Sequence, residues 1–204
     1  MKYFSLVFLF ILFSCGNKED ILLSKSNVTI VSNVVDHSPI YIFFRTKEKD
    51  TLAEVNRKNS IISTNWILNI DKRLPLRLVI PEVMKLQDKK RNEVAHKNEL
   101  AQNYYSYADS IHKNLAFLPF TKVYYVKEKP KSSFIVFFSK KNEIFVDGFP
   151  GSHEELKSFL NSFPKEKLGI IRFGFAKELS FGTYIQNKVL IQSLKIETKE
   201  EFIY

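Results

Sequence analysis

A degraded internal repeat constrains this chain more than any other feature. Lys72 to Gln87 reads Lys-Arg-Leu-Pro-Leu-Arg-Leu-Val-Ile-Pro-Glu-Val-Met-Lys-Leu-Gln, and Lys177 to Gln192 reads Lys-Glu-Leu-Ser-Phe-Gly-Thr-Tyr-Ile-Gln-Asn-Lys-Val-Leu-Ile-Gln. The offset is 177 − 72 = 105, with identities at Lys72/Lys177, Leu74/Leu179, Ile80/Ile185 and Gln87/Gln192. An apolar run precedes each copy, Trp66 to Ile70 in one and Gly169 to Phe173 in the other. Further upstream, Ile40 to Phe44 matches Phe134 to Phe138 at an offset of 134 − 40 = 94. The growth from 94 to 105 puts 105 − 94 = 11 extra residues in the second copy, within Val146 to Phe163. Strand-then-helix units bury their apolar faces by laying helices on a sheet. The expected class is therefore α/β (α+β), with two related strand-helix-strand-helix-strand repeats and helices packed on one face of mixed sheets. The second repeat carries an extra hairpin strand.

Local signals divide the chain further. Residues 1–14 form a leader, 15–27 a polar tether, 28–126 the first repeat, 127–133 a linker with Pro130, and 134–204 the second repeat. Val28 to Val35 is β-branched and reads as a strand, and Asp36 to Pro39 as a turn. Thr46 to Asn59 offers a short helix at most. Pro75 suits the first turn of a helix, while Pro81 would delay or kink it. Apolar spacing over Val94, Ala101, Tyr104, Tyr105, Ala108, Ile111 and Leu115 predicts helix, followed by a strand at Val123 to Val126 that closes the first repeat. In the second repeat, strands are expected at Phe134 to Phe138, Ile144 to Val146 and Ile170 to Phe175. Ser152 and Glu155 form a capping box, and Ser180 caps the repeated helix.

The first residues carry a different message. Lys2 precedes an unbroken apolar run from Leu6 to Phe13, and Leu12-Phe13-Ser14-Cys15 follows. The run is too short to span a bilayer, which takes about 20 apolar residues. The pattern resembles a bacterial lipoprotein signal peptide, with Leu12 to Cys15 as its lipobox. That resemblance implies cleavage before Cys15, diacylglycerol on its sulfur and an acyl chain, such as palmitate, on the new amino terminus. More than one chain gives stable attachment. Gly16 is not the Asp that favours inner-membrane retention, so an outer-membrane anchor is implied, on its periplasmic or its surface face. Cys15 is the only cysteine, so no internal disulfide is available and the fold rests on a hydrophobic core.

The net charge is +9, from 31 Lys and Arg against 22 Asp and Glu. Loss of Lys2 leaves 30 − 22 = +8. The basic residues are scattered, and a chain outside the cytoplasm rarely meets nucleic acid, so no nucleic-acid partner is expected.

Within the second repeat, Asn142 to Gly148, then Ser152 to Leu156, Ile170-Ile171-Arg172 and Ser180 to Ile185 together resemble the periplasmic domain of ExbD/TolR-like biopolymer transport proteins. The likeness spans about 134–192. It implies the fold, close backbone approach at Gly182, a packed face at Tyr184 and Ile185, and pairing with envelope partners through a sheet edge. Where that family carries an acidic transmembrane helix this sequence has the leader, with no carboxylate between Met1 and Asn17, and Phe175-Ala176-Lys177 stands where its Asp follows the third strand. Its proton-coupled role is therefore not carried over.

His37, His96, His112 and His153 have no metal-ligand spacing. Ser110-Ile111-His112-Lys113 has the Ser-x-x-Lys form without its companion motifs. Gly148-Phe149-Pro150-Gly151 is too poor in glycine for a phosphate loop. Tyr104-Tyr105-Ser106-Tyr107 would diverge on a helix, placing one or two of them in the core and the rest on the surface; the alternative is an aromatic platform for a ligand or glycan. No catalytic, cofactor-binding or metal residue is assigned, and Cys15 is the one site residue. The expected function is a membrane-anchored envelope lipoprotein acting as a non-enzymatic binding or assembly module. The alternative is a surface lipoprotein that binds or processes a glycan or peptide.

Overall fold

The computed structural model describes residues 20–131 and 134–204. The leader, Cys15 and the start of the tether lie outside the described residues. The described residues build two mixed sheets of six strands each, with three α-helices.

The first sheet contains β1 (Lys25–Ser26), β2 (His37–Lys47), β3 (Asp50–Asn56), β4 (Asn65–Ile70), β5 (Asn103–Asp109) and β6 (Leu115–Pro119). β2, β4 and β5 are parallel, β3 and β6 pair antiparallel at the two sides, and β1 adds parallel to the end of β5. The helix α1 (Leu76–Asn92) links β4 to β5, as parallel neighbours require. The second sheet contains β7 (Tyr124–Val126), β8 (Phe134–Phe138), β9 (Ile144–Val146), β10 (Phe149–Gly151), β11 (Ile171–Phe175) and β12 (Glu200–Ile203), in the order β10-β9-β8-β11-β12-β7. α2 (His153–Ser162) precedes β11, and α3 (Phe181–Ser193) links β11 to β12.

The two repeats share one plan. The order β3-β2-β4-β5 in one sheet matches β9-β8-β11-β12 in the other. α1 and α3 begin at Leu76 and Phe181, again 181 − 76 = 105 apart. The repeated stretches also meet each other. Leu76 N–H donates to Leu179 O at 2.9 Å, and Phe181 N–H to Leu74 O at 2.7 Å. Arg77 N–H donates to Lys177 O at 2.8 Å, and Gly182 N–H to Lys72 O at 2.9 Å. Each bond maps onto its counterpart by the same 105-residue offset, and Pro75 bridges Ser180 at the centre. This is the self-complementary pattern of a two-fold interface, formed within one chain. Behind it, Trp66, Leu68, Ile70 and Tyr105 from one sheet join Phe138, Phe173 and Phe175 from the other around both helices in one continuous core.

Several expectations need correction. The segment 94–115 is not helical: Tyr105 and Tyr107 join the main core while Tyr104 packs with Val34, Ile67 and Phe117 in a separate cluster, the alternation of a strand. Thr46 to Asn59 forms the β2–β3 hairpin, so the first repeat has one helix where two were expected. Val28 to Val35 holds only a bridge from Val31 to Phe117. Tyr124–Val126, expected to close the first repeat, pairs with β12 in the second sheet. Ile40 pairs Leu68 while Val136 pairs Phe173, so Ile40 corresponds to Val136. The upstream offset is thus 136 − 40 = 96 rather than 94, and the second copy gains 105 − 96 = 9 residues here. A two-residue slip preserves strand alternation, which is why apolar pattern alone does not resolve it. The helix α1 starts at Leu76, ahead of Pro81.

Candidate partner-binding edge

The β2–β3 hairpin creates an open edge. Glu48 adopts a left-handed conformation, φ 55°, in a two-residue turn, and the register runs from Lys47↔Asp50 to Tyr41↔Asn56. Arg45 Nε bonds Glu54 Oε2 at 2.7 Å across the pair, and its guanidinium lies 5.0 Å from the Phe43 ring centre. Phe44, Ala53 and Val55 turn inward onto the core, beside Leu78 of α1. No other strand among the described residues pairs with β3. Alternate N–H and C=O groups of this seven-residue strand therefore face away from β2.

Two concavities flank that edge. One, of about 440 Å³, is lined by Arg45, Leu52, Ala53, Glu54, Leu78 and Glu82. The other, of about 530 Å³, is lined by Glu54 through Lys58 with Ser60 and Lys89. Glu54 belongs to both, so together they follow β3 alongside α1. The second repeat shows the alternative state of the same place. There the equivalent strand, β9, carries β10 on its outer side, antiparallel, with Phe149↔Val146 and Gly151↔Ile144. Pro150 in β10 lacks an N–H to offer onward.

A second polar constellation is sealed inside. The Tyr105 hydroxyl lies 2.6 Å from that of Tyr125, and the Tyr184 hydroxyl donates to Glu201 Oε2 at 2.6 Å. Glu201, fully buried, also pairs with Lys188 and accepts from Thr198. Burial raises all three tyrosines above their usual range, and the neighbouring carboxylate adds to it. They stay protonated, and the matched Lys188–Glu201 charges tie α3 to β12. Nothing in the scattered charges along the chain points to this pair.

The other sequence candidates do not converge. Tyr105 and Tyr107 are in the core, so the four-residue cluster offers no continuous tyrosine platform. Ser110 sits in the β5–β6 turn and bonds Ser26 O. His37 bonds Val34 O, His112 bonds Asp109, and His153 faces Asn187. Among the described residues no group of three or more His, Cys, Asp or Glu could hold a metal ion, and no helix is long and apolar enough to cross a membrane. The tether is partly absorbed into the fold: Lys72 N–H donates to Leu22 O, and the Ser24 hydroxyl to Gly182 O. Gly182 does meet a close approach, since a Cβ there would lie 2.8 Å from Lys72 Cβ.

Comparison with protein-family models, curated proteins and solved structures gives no match.

Proposed function

We propose that this chain is a cell-envelope lipoprotein, anchored through lipid on Cys15 to the outer membrane, that acts as a non-enzymatic binding or assembly module. The open β3 edge beside α1 carries this reading. An extended segment of an envelope partner adds to it as a strand, with main-chain bonds giving affinity and the flanking concavities giving selectivity. The likeness of 134–192 to ExbD/TolR-like periplasmic domains suggests a biopolymer-transport assembly as the setting. The test is crosslinking in cells followed by affinity purification, comparing wild type with Cys15→Ala. Capture of one defined envelope protein only with Cys15 intact supports the reading; no specific capture in either form removes it.

A second reading is a glycan- or peptide-binding surface lipoprotein. It is favoured by the outer face of the second sheet, where Phe137 and Tyr204 stack with ring centres 5.0 Å apart beside Gly174, whose missing side chain gives them room. Binding of soluble oligosaccharides that is lost in Tyr204→Ala but kept in β3 variants would favour it.

A further inference from the structure

Resting on the reading of β3 as a docking edge, we propose that its occupant is an extended peptide lying antiparallel to β3, with acidic residues at its N-terminal end and alternating apolar residues after them. The direction follows from the duplication, because β10 occupies the equivalent place on β9 in the antiparallel sense. Antiparallel pairing is also slightly the more stable per residue. The order of side chains follows from the two ends of the edge. β3 runs toward Arg57 and Lys58, and α1 brings Lys89 to the same concavity. All three are exposed, and none forms an ion pair among the described residues. At the opposite end Leu52, Ala53 and Leu78 line the concavity together with Arg45, Glu54 and Glu82, and the charges there are matched, Arg45 with Glu54 and Lys85 with Glu82, each at 2.7 Å. An antiparallel guest enters with its N-terminus beside the cations and its later residues over the apolar end. Like charges at either end would repel it, which fixes register as well as partner.

The experiment uses the full chain in detergent micelles and three fluorescent octapeptides, read by anisotropy. The first is Asp-Asp-Thr-Val-Thr-Val-Thr-Val, the second has that order reversed, and the third replaces both Asp by Lys. The first should bind about tenfold more tightly than either other peptide at low salt, an advantage that shrinks as salt screens the exposed charges. Lys58→Glu with Lys89→Glu should erase that preference. Ala53→Pro, which places a ring on the open edge, should abolish binding of all three. Equal binding of the three peptides, lost in Ala53→Pro, overturns the stated chemistry while the docking edge stands. Unchanged binding in a folded Ala53→Pro variant defeats the docking edge itself. Self-association that Ala53→Pro abolishes, with no peptide bound, assigns the edge to a second copy and overturns the proposal. Should the proline variant fail to fold, the surface charge reversals still decide the chemistry.

Discussion

Glu201 and Lys188 are the residues on which the join between α3 and β12 most depends, because a buried charge without its partner is costly. Their side chains are 0% and 7% exposed. Glu201→Gln should lower stability by about 3 kcal/mol, whereas replacing both by apolar residues of similar size should cost much less. Urea unfolding of the single and double variants separates the two. Gly182→Ala should cost about 1–3 kcal/mol, since Lys72 Cβ and O stand 2.8 and 3.1 Å from the new Cβ. Two charged residues set a pH signature. The Lys90 amine is pushed down to about 8 by burial, while it donates to Thr64 O and Gln102 O. Between about pH 8 and 10 the unfolded chain holds the extra proton, so stability should rise with pH there, and Lys90→Gln should flatten the rise. For Asp71, burial pushes the carboxyl up, but bonds from the Arg73 side chain and from the Arg73 and Leu22 N–H groups outweigh it and hold the carboxyl low. Its contribution is present above about pH 4 and is lost as the pH falls below that. Asp71→Asn should make the acid limb of a thermal melt series shallower.

At the scale of elements, what the sequence disclosed depended on whether a local signal was unique. Ser152 caps α2 with a complete capping box, as its Ser-x-x-Glu spacing implied, and Ser152→Ala should cost about 1 kcal/mol of stability. Ser180 likewise caps α3. The segment around Tyr104 was ambiguous, because Ala101, Tyr104, Tyr105 and Ala108 satisfy helical spacing while Tyr105 and Tyr107 satisfy a strand. The flanking turn at Asp109 to Asn114, bonded by Asp109 N–H to Asn114 O, was the signal that decides it. Gln87 and Lys90 sit in a run without apolar residues, yet both are buried, bonding carbonyls of the 120–123 loop and of Thr64 and Gln102. Long polar side chains reach such partners only once the tertiary fold brings them together, so no local pattern foretells them. The β3 edge was hidden for a related reason. Thr51 to Val55 is short and polar on one side, and its openness depends on what lies beside it in space.

For the molecule as a whole, the repeat detected in the sequence is the seam of the structure. Lys72 to Leu76 and Lys177 to Phe181 bond reciprocally about the Pro75–Ser180 bridge, so the stretch most alike in the two halves is where the halves meet. A duplicated unit need not stay equivalent elsewhere. The nine residues gained upstream of β11 contribute to β10, which pairs on the outside of β9, and to α2, whereas β3, the equivalent of β9, has no such outer strand among the described residues. That asymmetry is the physical basis for proposing a docking edge on one repeat and not the other. It is tested most directly by a photo-crosslinking residue placed at position 53 of the full chain in living cells, with position 150 on β10 as the control. The expected result is a defined envelope protein joined from position 53 through an extended segment, and none from position 150. Adducts of equal yield from both positions, or none from position 53, would contradict it.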